Sequence, residues 1–129
     1  MARILIVEDE FLIFDDLKYK VQRLGHAVIA HATSGDAAIQ QGVDTKPDLV
    51  LMDVRLQGTM NGIEAARLIR ERHPVPVVYV TAHGRSIEKE LDAKRREFVL
   101  VKPFSPAQLE AVLVAAMGGL TTDDTGVTF

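Results

Sequence analysis

The sequence predicts an α/β domain in which a five-stranded parallel sheet carries helices on both faces. Three observations predict it: five short apolar runs, segments of helical spacing between them, and short connections that join the two in alternation. Strands covered on both faces read as unbroken apolar runs, and parallel neighbours require a crossover, which a helix supplies.

Ile4-Leu5-Ile6-Val7 is β-branched and uninterrupted, and stops at Glu8-Asp9. From Glu10 to Leu24 apolar residues recur at Leu12, Ile13, Leu17, Val21 and Leu24, a helical spacing closed by Gly25 as its C′ stop. Ala27-Val28-Ile29-Ala30 gives the second strand. Ser34 then serves as N-cap of a second helix running to about Val43. After Lys46-Pro47, the run Asp48 to Asp53 forms a third strand with an acid at each end. A loop from Asp53 to Gly62 has no helical period, and a third helix restarts at Ile63 and ends before Pro74. Val75 to Val80 is the fourth strand, with Pro76 at its entry, where a missing donor matters least. Ser86 to Arg96 is charged and weakly amphipathic, with Ile87 and Leu91 its large apolar residues, which predicts a short, exposed fourth helix. Phe98 to Val101 is the fifth strand. Ser105-Pro106 opens the last helix as N-cap and N1, with Leu109, Val112, Leu113 and Ala116 as its buried face. The domain is expected to span 1–118, and residues 119–129 read as a flexible tail or linker stump.

Composition narrows the function. The 129 residues suffice for one core, and 47% hydrophobic residues fill it. Eighteen acids against fifteen Lys plus Arg give a net charge of −3, which argues against a nucleic-acid footprint or a membrane-surface patch. The absence of cysteine removes disulfides, thiolate catalysis and cysteine metal sites, and fits a reducing cytoplasm. The N-terminal apolar run is too short for a signal sequence or a membrane span.

In such sheets ligands sit at the carboxyl ends of the strands. That rule brings Glu8, Asp9, Asp53, Thr81 and Lys102 to one rim. Neighbouring carboxylates repel unless a cation or a proton intervenes, and an all-oxygen set selects a hard divalent ion, Mg²⁺ by default with Mn²⁺ as a substitute. Lys102 adds a fixed positive charge and Thr81 a hydroxyl. The combination suits a phosphoryl group, with Asp53 as nucleophile.

The order Glu8-Asp9, Asp53, Thr81-Ala82, Lys102-Pro103-Phe104 resembles the receiver domain of two-component response regulators from residue 2 to about 118. The resemblance implies a flavodoxin-like (βα)5 fold of strand order 2-1-3-4-5. It also implies that Asp53 accepts phosphate from a histidine kinase or phosphotransfer protein. Asp9 then ligates Mg²⁺ together with Asp53, Glu8 is the second acid, and the Arg55 backbone carbonyl completes the set. Thr81 is the switch hydroxyl, Lys102 binds the phosphoryl group, and the Lys102-Pro103 bond is cis. Arg55 and His83 occupy the positions that govern water access to the phosphoryl group. The fourth helix, fifth strand and fifth helix form the face on which a downstream partner or a second copy docks, with Pro103 beside it. On this reading the protein is a switch acting on its own aspartate, not an enzyme on external substrates.

Three departures from the pattern stand out. Receivers commonly carry an aromatic three residues before the lysine, where this chain has Val99. Phe98 is one residue off, and a one-residue offset in a strand points to the opposite face. Either the switch differs, or another residue such as Tyr79 contributes. The loop after Asp53 is about one residue longer than the commonest form and lacks its proline. Lys94-Arg95-Arg96 replaces a small pair; it reads as a solvated cluster complementing a helix dipole, or as a docking patch for an acidic partner.

Other readings compete. A haloacid-dehalogenase-type phosphatase wants a second acid where Arg55 stands. A pseudo-receiver would be an interaction module with a dead site, whereas this chain retains all five site positions. A flavodoxin-like cofactor carrier would meet repulsion between its phosphate and the acids after strand one. The chain also fits an excised receiver of a larger hybrid kinase or regulator. The four histidines share no metal-ligand spacing and read as surface or satisfied polar residues, with His83 as the exception above.

Overall fold

The computed structural model describes residues 1–56, 58–82, 84–87, 91 and 96–118, with 85 and 86 as backbone alone. Five strands and five helices alternate: β1 (Arg3–Val7), α1 (Phe11–Arg23), β2 (Ala27–Ala32), α2 (Gly35–Thr45), β3 (Leu49–Asp53), α3 (Gly62–Arg72), β4 (Val77–Thr81), α4 (Gly84–Ile87), β5 (Glu97–Val101) and α5 (Pro106–Met117). The sheet is parallel throughout, in the order β2-β1-β3-β4-β5. This is the flavodoxin-like topology expected from the sequence.

Strand alternation divides the core into two layers. Ile4, Ile6, Leu51, Val80, Phe98 and Leu100 pack beneath α1 and α5, while Leu5, Val7, Val50, Met52, Tyr79 and Val99 pack beneath α2 and α3. Apolar residues therefore point both ways from every strand, which is why the runs read as continuous. The register sets the rim: Val7 pairs with Met52, Asp53 with Val80, and Thr81 with Val101. Glu8, Asp53, Thr81 and Lys102 consequently end adjacent strands at nearly one level.

Helix ends follow local chemistry. The Ser34 hydroxyl accepts from the Ala37 N–H at 3.2 Å, and Ser105 with Gln108 forms a capping box ahead of Pro106. Gly25 takes a φ of 91°, the left-handed turn that ends α1. The buried stripe of α1 is Phe14, Leu17 and Val21 rather than one containing Leu12, which is 85% exposed. Phe14 lies three residues before Leu17 and seven before Val21, and this i, i+3, i+7 stripe turns Leu12 outward.

Other boundaries shift. β4 begins at Val77, because Pro76 has no N–H to enter the ladder, although Val75 and Pro76 are buried. β2 extends to Ala32. α4 begins at Gly84 rather than Ser86, and Gly84 and Ile87 are buried against the sheet rather than exposed. A Cβ on Gly84 would stand 2.5 Å from Val101 Cγ2 and 3.1 Å from Val99 Cγ1, so the start of α4 lies directly on β5. Lys94 and Arg95 fall outside the described residues. Arg96 takes a φ of 61°, and its guanidinium donates to the Ala116 carbonyl in the last turn of α5. A cation at this carbonyl end complements the dipole of α5, a contact the sequence did not announce.

Candidate functional site

The site begins where β1 runs out. Glu8 continues the ladder for one residue, its N–H donating to the Ala32 carbonyl at 2.9 Å, and its side chain is 2% exposed. The Glu10 N–H donates back to Glu8 Oε2 at 3.2 Å, which turns the chain into α1 and leaves Asp9 on the rim. β3 delivers Asp53. The Arg55 N–H donates to Asp53 Oδ1 at 3.2 Å, fixing the carboxylate, while the Arg55 side chain is exposed. The loop closes again at Gly62, whose N–H donates to the Val54 carbonyl at 2.9 Å. A Cβ on Gly62 would collide with the Asp53 carbonyl oxygen, so glycine is required there. Asn61 then opens α3 through a capping box with Glu64.

β4 supplies Thr81, 6% exposed, and the Lys102 N–H donates to the Thr81 carbonyl at 2.9 Å, so the last two strand ends are joined. The Lys102-Pro103 peptide is cis. Lys102 Nζ lies 3.9 Å from Glu8 Oε1. A cavity of about 280 Å³ is lined by Glu8, Asp9, Asp53, Arg55, Thr81 and Lys102 among others.

One oxygen each from Glu8, Asp9 and Asp53 lies within 4.8 Å of the others. Burial, joined by the neighbouring Asp53 charge, pushes the Glu8 carboxyl up to about 7, with Lys102 and the Glu10 N–H opposing. Burial likewise raises Asp53 above the ordinary carboxylate value, against the pull of Lys102 and the Arg55 N–H. Three crowded acids with one ammonium at 3.9 Å form a site short of positive charge. The donor set, all carboxylate oxygen, fits a hard divalent cation, and Asp9, Asp53 and Glu8 would hold it. Such an ion, when bound, neutralises charge on the carboxylates and on any phosphoryl oxygen beside them.

The remaining predicted positions separate. Val99 is fully buried beneath α4 in the layer that includes Tyr79, and Phe98 faces the α1 and α5 layer, as the one-residue offset demands. The Tyr79 hydroxyl donates to Glu97 Oε2 at 2.7 Å, and Glu97 pairs with Val77 at the start of β5. Its polar end is thus directed away from Thr81, and Gly84 with Val101 occupies the space beside Val99. Burial and the Glu97 carboxylate raise the Tyr79 hydroxyl far above the ordinary phenol value. His83 is outside the described residues. His26 accepts from the Ala2 N–H at 3.0 Å, His31 binds the Glu8 carbonyl and His73 the Pro47 carbonyl, both at 2.8 Å. These three are satisfied polar groups, as expected.

The capping role of Asn61, the close approach at Gly62, the contact of His31 with the Glu8 carbonyl and the Tyr79–Glu97 pair were not anticipated from the sequence. Asn61-Gly62-Ile63-Glu64 carries a readable capping-box spacing. The other contacts join distant segments and leave no local signal.

Residues 4–114 match the response regulator receiver domain. Among curated proteins, the chain is 38% identical over 119 residues to the phyllosphere-induced regulator PhyR of Methylorubrum extorquens, covering 90% of this chain and 43% of that protein. It is 37% identical over 110 residues to the transcriptional regulatory protein ResD of Bacillus subtilis, covering 84% and 45%. The chain therefore spans about half the length of these relatives. Among solved structures, the receiver domain of Erythrobacter litoralis PhyR superposes with a TM-score of 0.80 at 29% identity, covering 98% of this chain and 96% of that one. The receiver domain of the sensor histidine kinase PA1611 of Pseudomonas aeruginosa superposes with a TM-score of 0.78 at 28% identity, covering 92% and 98%, and that structure holds a magnesium ion in its active-site cleft. With its strand order, its converging acids and these matches, the chain belongs to the response regulator receiver domain family.

Proposed function

We propose that the chain is a phosphorylation-controlled signalling receiver whose phosphoryl acceptor is Asp53. The observation that carries this reading is the convergence of three carboxylates, with oxygens within 4.8 Å of one another, in a cavity shared with Thr81 and Lys102. One carboxylate oxygen of Asp53 attacks the phosphorus of a phosphohistidine on a kinase or phosphotransfer protein. The O–P bond forms, the P–N bond breaks, and the imidazole leaves with the electron pair. Asp9, Asp53, Glu8 and the Arg55 carbonyl hold Mg²⁺, or Mn²⁺ in its place. The Lys102 ammonium and the Thr81 hydroxyl each take a phosphoryl oxygen, and Arg55 and His83 set how readily water reaches phosphorus.

The donor docks over α1, where Phe11 is 70% and Leu12 85% exposed beside the cavity. A second cavity, lined by Ile13, Leu17, Val80, Lys102, Pro103 and Phe104, offers an apolar recess next to them. The downstream partner, or a second copy, uses the α4, β5 and α5 face. Exposed Ala107, Ala111 and Val114 on α5 support this, while the engagement of Arg96 with α5 weakens its part in a basic patch. Because Val99 is small and sealed beneath Gly84, the signal passes from Thr81 to α4 through the backbone and not through a swinging ring. Residues 1–118 form the receiver, and 119–129 serve as a tail or linker. Among the described residues no helix is long and apolar enough to cross a membrane.

Incubation with a small phosphodonor and Mg²⁺ should add one phosphoryl group, which Asp53→Asn and chelation of the metal should each abolish. An unchanged wild-type mass would favour the pseudo-receiver.

A further inference from the structure

His31 stands at the carboxyl end of β2, and nothing in the chemistry above uses it. The Glu8 N–H reaches the Ala32 carbonyl, the last rung between β1 and β2. The Glu8 carbonyl is the next acceptor beyond that rung, and His31 Nε2 lies 2.8 Å from it. A carbonyl only accepts, so this assigns the imidazole proton to Nε2. The ring is itself held. It stacks on Phe14 with centroids 3.5 Å apart and planes 7° from parallel, and it meets Phe11 edge-on at 5.8 Å and 83°. Both phenylalanines belong to the start of α1, two residues after Asp9.

One imidazole thus ties the end of β2 to the peptide joining Glu8 to Asp9, and to the helix that follows. The plane of that peptide fixes ψ of Glu8 and φ of Asp9, the torsions that aim the two carboxylates. The acids repel each other and Asp53, so an unrestrained turn would relax by swinging outward, and the cation would have to draw it back. We infer that His31 is a positioning residue for the Glu8–Asp9 pair, holding their shared peptide so that both carboxylates face Asp53 and the divalent ion meets a preformed site. The inference rests on the receiver reading of the acid cluster. Groups that orient metal ligands from one bond away commonly control affinity by about 10-fold or more.

The test is calorimetric titration of Mg²⁺ into the wild type, His31→Phe and His31→Gln, each checked for folding by circular dichroism and thermal melting. Phenylalanine keeps a ring on Phe14 and removes the donor; glutamine places an amide N–H about where Nε2 stands. His31→Phe should weaken Mg²⁺ binding about 10-fold, at the low end of that range, and His31→Gln should recover most of the loss. Should His31→Phe not fold, His31→Met takes its place in the same comparison. Wild-type affinity in the donorless variant overturns the inference whatever its melting temperature, and so does a His31→Gln no tighter than His31→Phe. Wild-type protein that binds no Mg²⁺ would remove the receiver reading itself, and the inference with it.

Discussion

Replacing Glu8 by glutamine should change how the stability of the metal-free protein depends on pH. Glu8 is 2% exposed, and its carboxyl is raised from 4.5 to about 7, first by burial and then by Asp53. The folded state therefore holds this proton more tightly than the unfolded chain does. The resulting stabilisation is complete below about pH 4.5 and is lost as the pH rises to about 7. At about 1.4 kcal/mol per pH unit, the loss is about 3 kcal/mol, or about 10 °C in melting temperature for a domain of this size. Asp53 is raised in the same direction, so the variant should keep a shallower slope rather than none. The assay is thermal melting with chelator from pH 4.5 to 8, for the wild type and Glu8→Gln. The difference between the two curves should fall steadily to about pH 7. Saturating Mg²⁺ should flatten the wild-type curve by stabilising the ionised cluster. Parallel curves for the two proteins would refute the claim that burial in the empty cluster raises the Glu8 carboxyl.

Removing the Tyr79 hydroxyl with Tyr79→Phe should cost about 2 kcal/mol in chemical denaturation, the range for a buried hydrogen bond to a charged group, and should leave Mg²⁺ affinity unchanged; altered affinity would show that the pair reaches the site. Gly84→Ala, whose Cβ would stand 2.5 Å from Val101 Cγ2, should destabilise by about 1–3 kcal/mol. Val101→Ala in the same chain should recover part of that loss, and additive costs would show that α4 does not rest on β5 as described. His26 accepts the Ala2 N–H, and burial and the N-terminal ammonium lower its proton affinity, so it stabilises the fold above pH 6.5 and loses that contribution as the pH falls through its lowered value. Its ring resonances should titrate with a midpoint below 6.5, and one at or above 6.5 would contradict the contact.

The parts of this molecule that a sequence can announce are those with local causes. Apolar runs, the Gly25 stop and the Ser34 and Ser105 caps each act within a few residues, and they placed most elements correctly. The site was legible for the same reason: strand ends in a parallel sheet share one rim, so order along the chain becomes proximity in space. Failures came where a distant segment decides. The path of Arg96 to α5, the bond from His31 to the Glu8 carbonyl, and the seating of Gly84 on β5 each join residues whose neighbours in sequence give no hint. Leu12 misled because it adjoins Ile13, which stands four residues before Leu17 and packs on the core, whereas Leu12 lies five residues before Leu17 and the Phe14, Leu17 and Val21 stripe turns it outward.

Everything proposed for this protein depends on phosphate entering at Asp53. Borohydride reduces an aspartyl phosphate to homoserine and leaves free aspartate intact, so phosphorylation, reduction and peptide mapping identify the acceptor directly. Homoserine is expected at position 53 alone, and only when Mg²⁺ accompanied the phosphodonor. Homoserine at position 9, or phosphate found on a histidine or hydroxyl side chain with residue 53 unmodified, would contradict it.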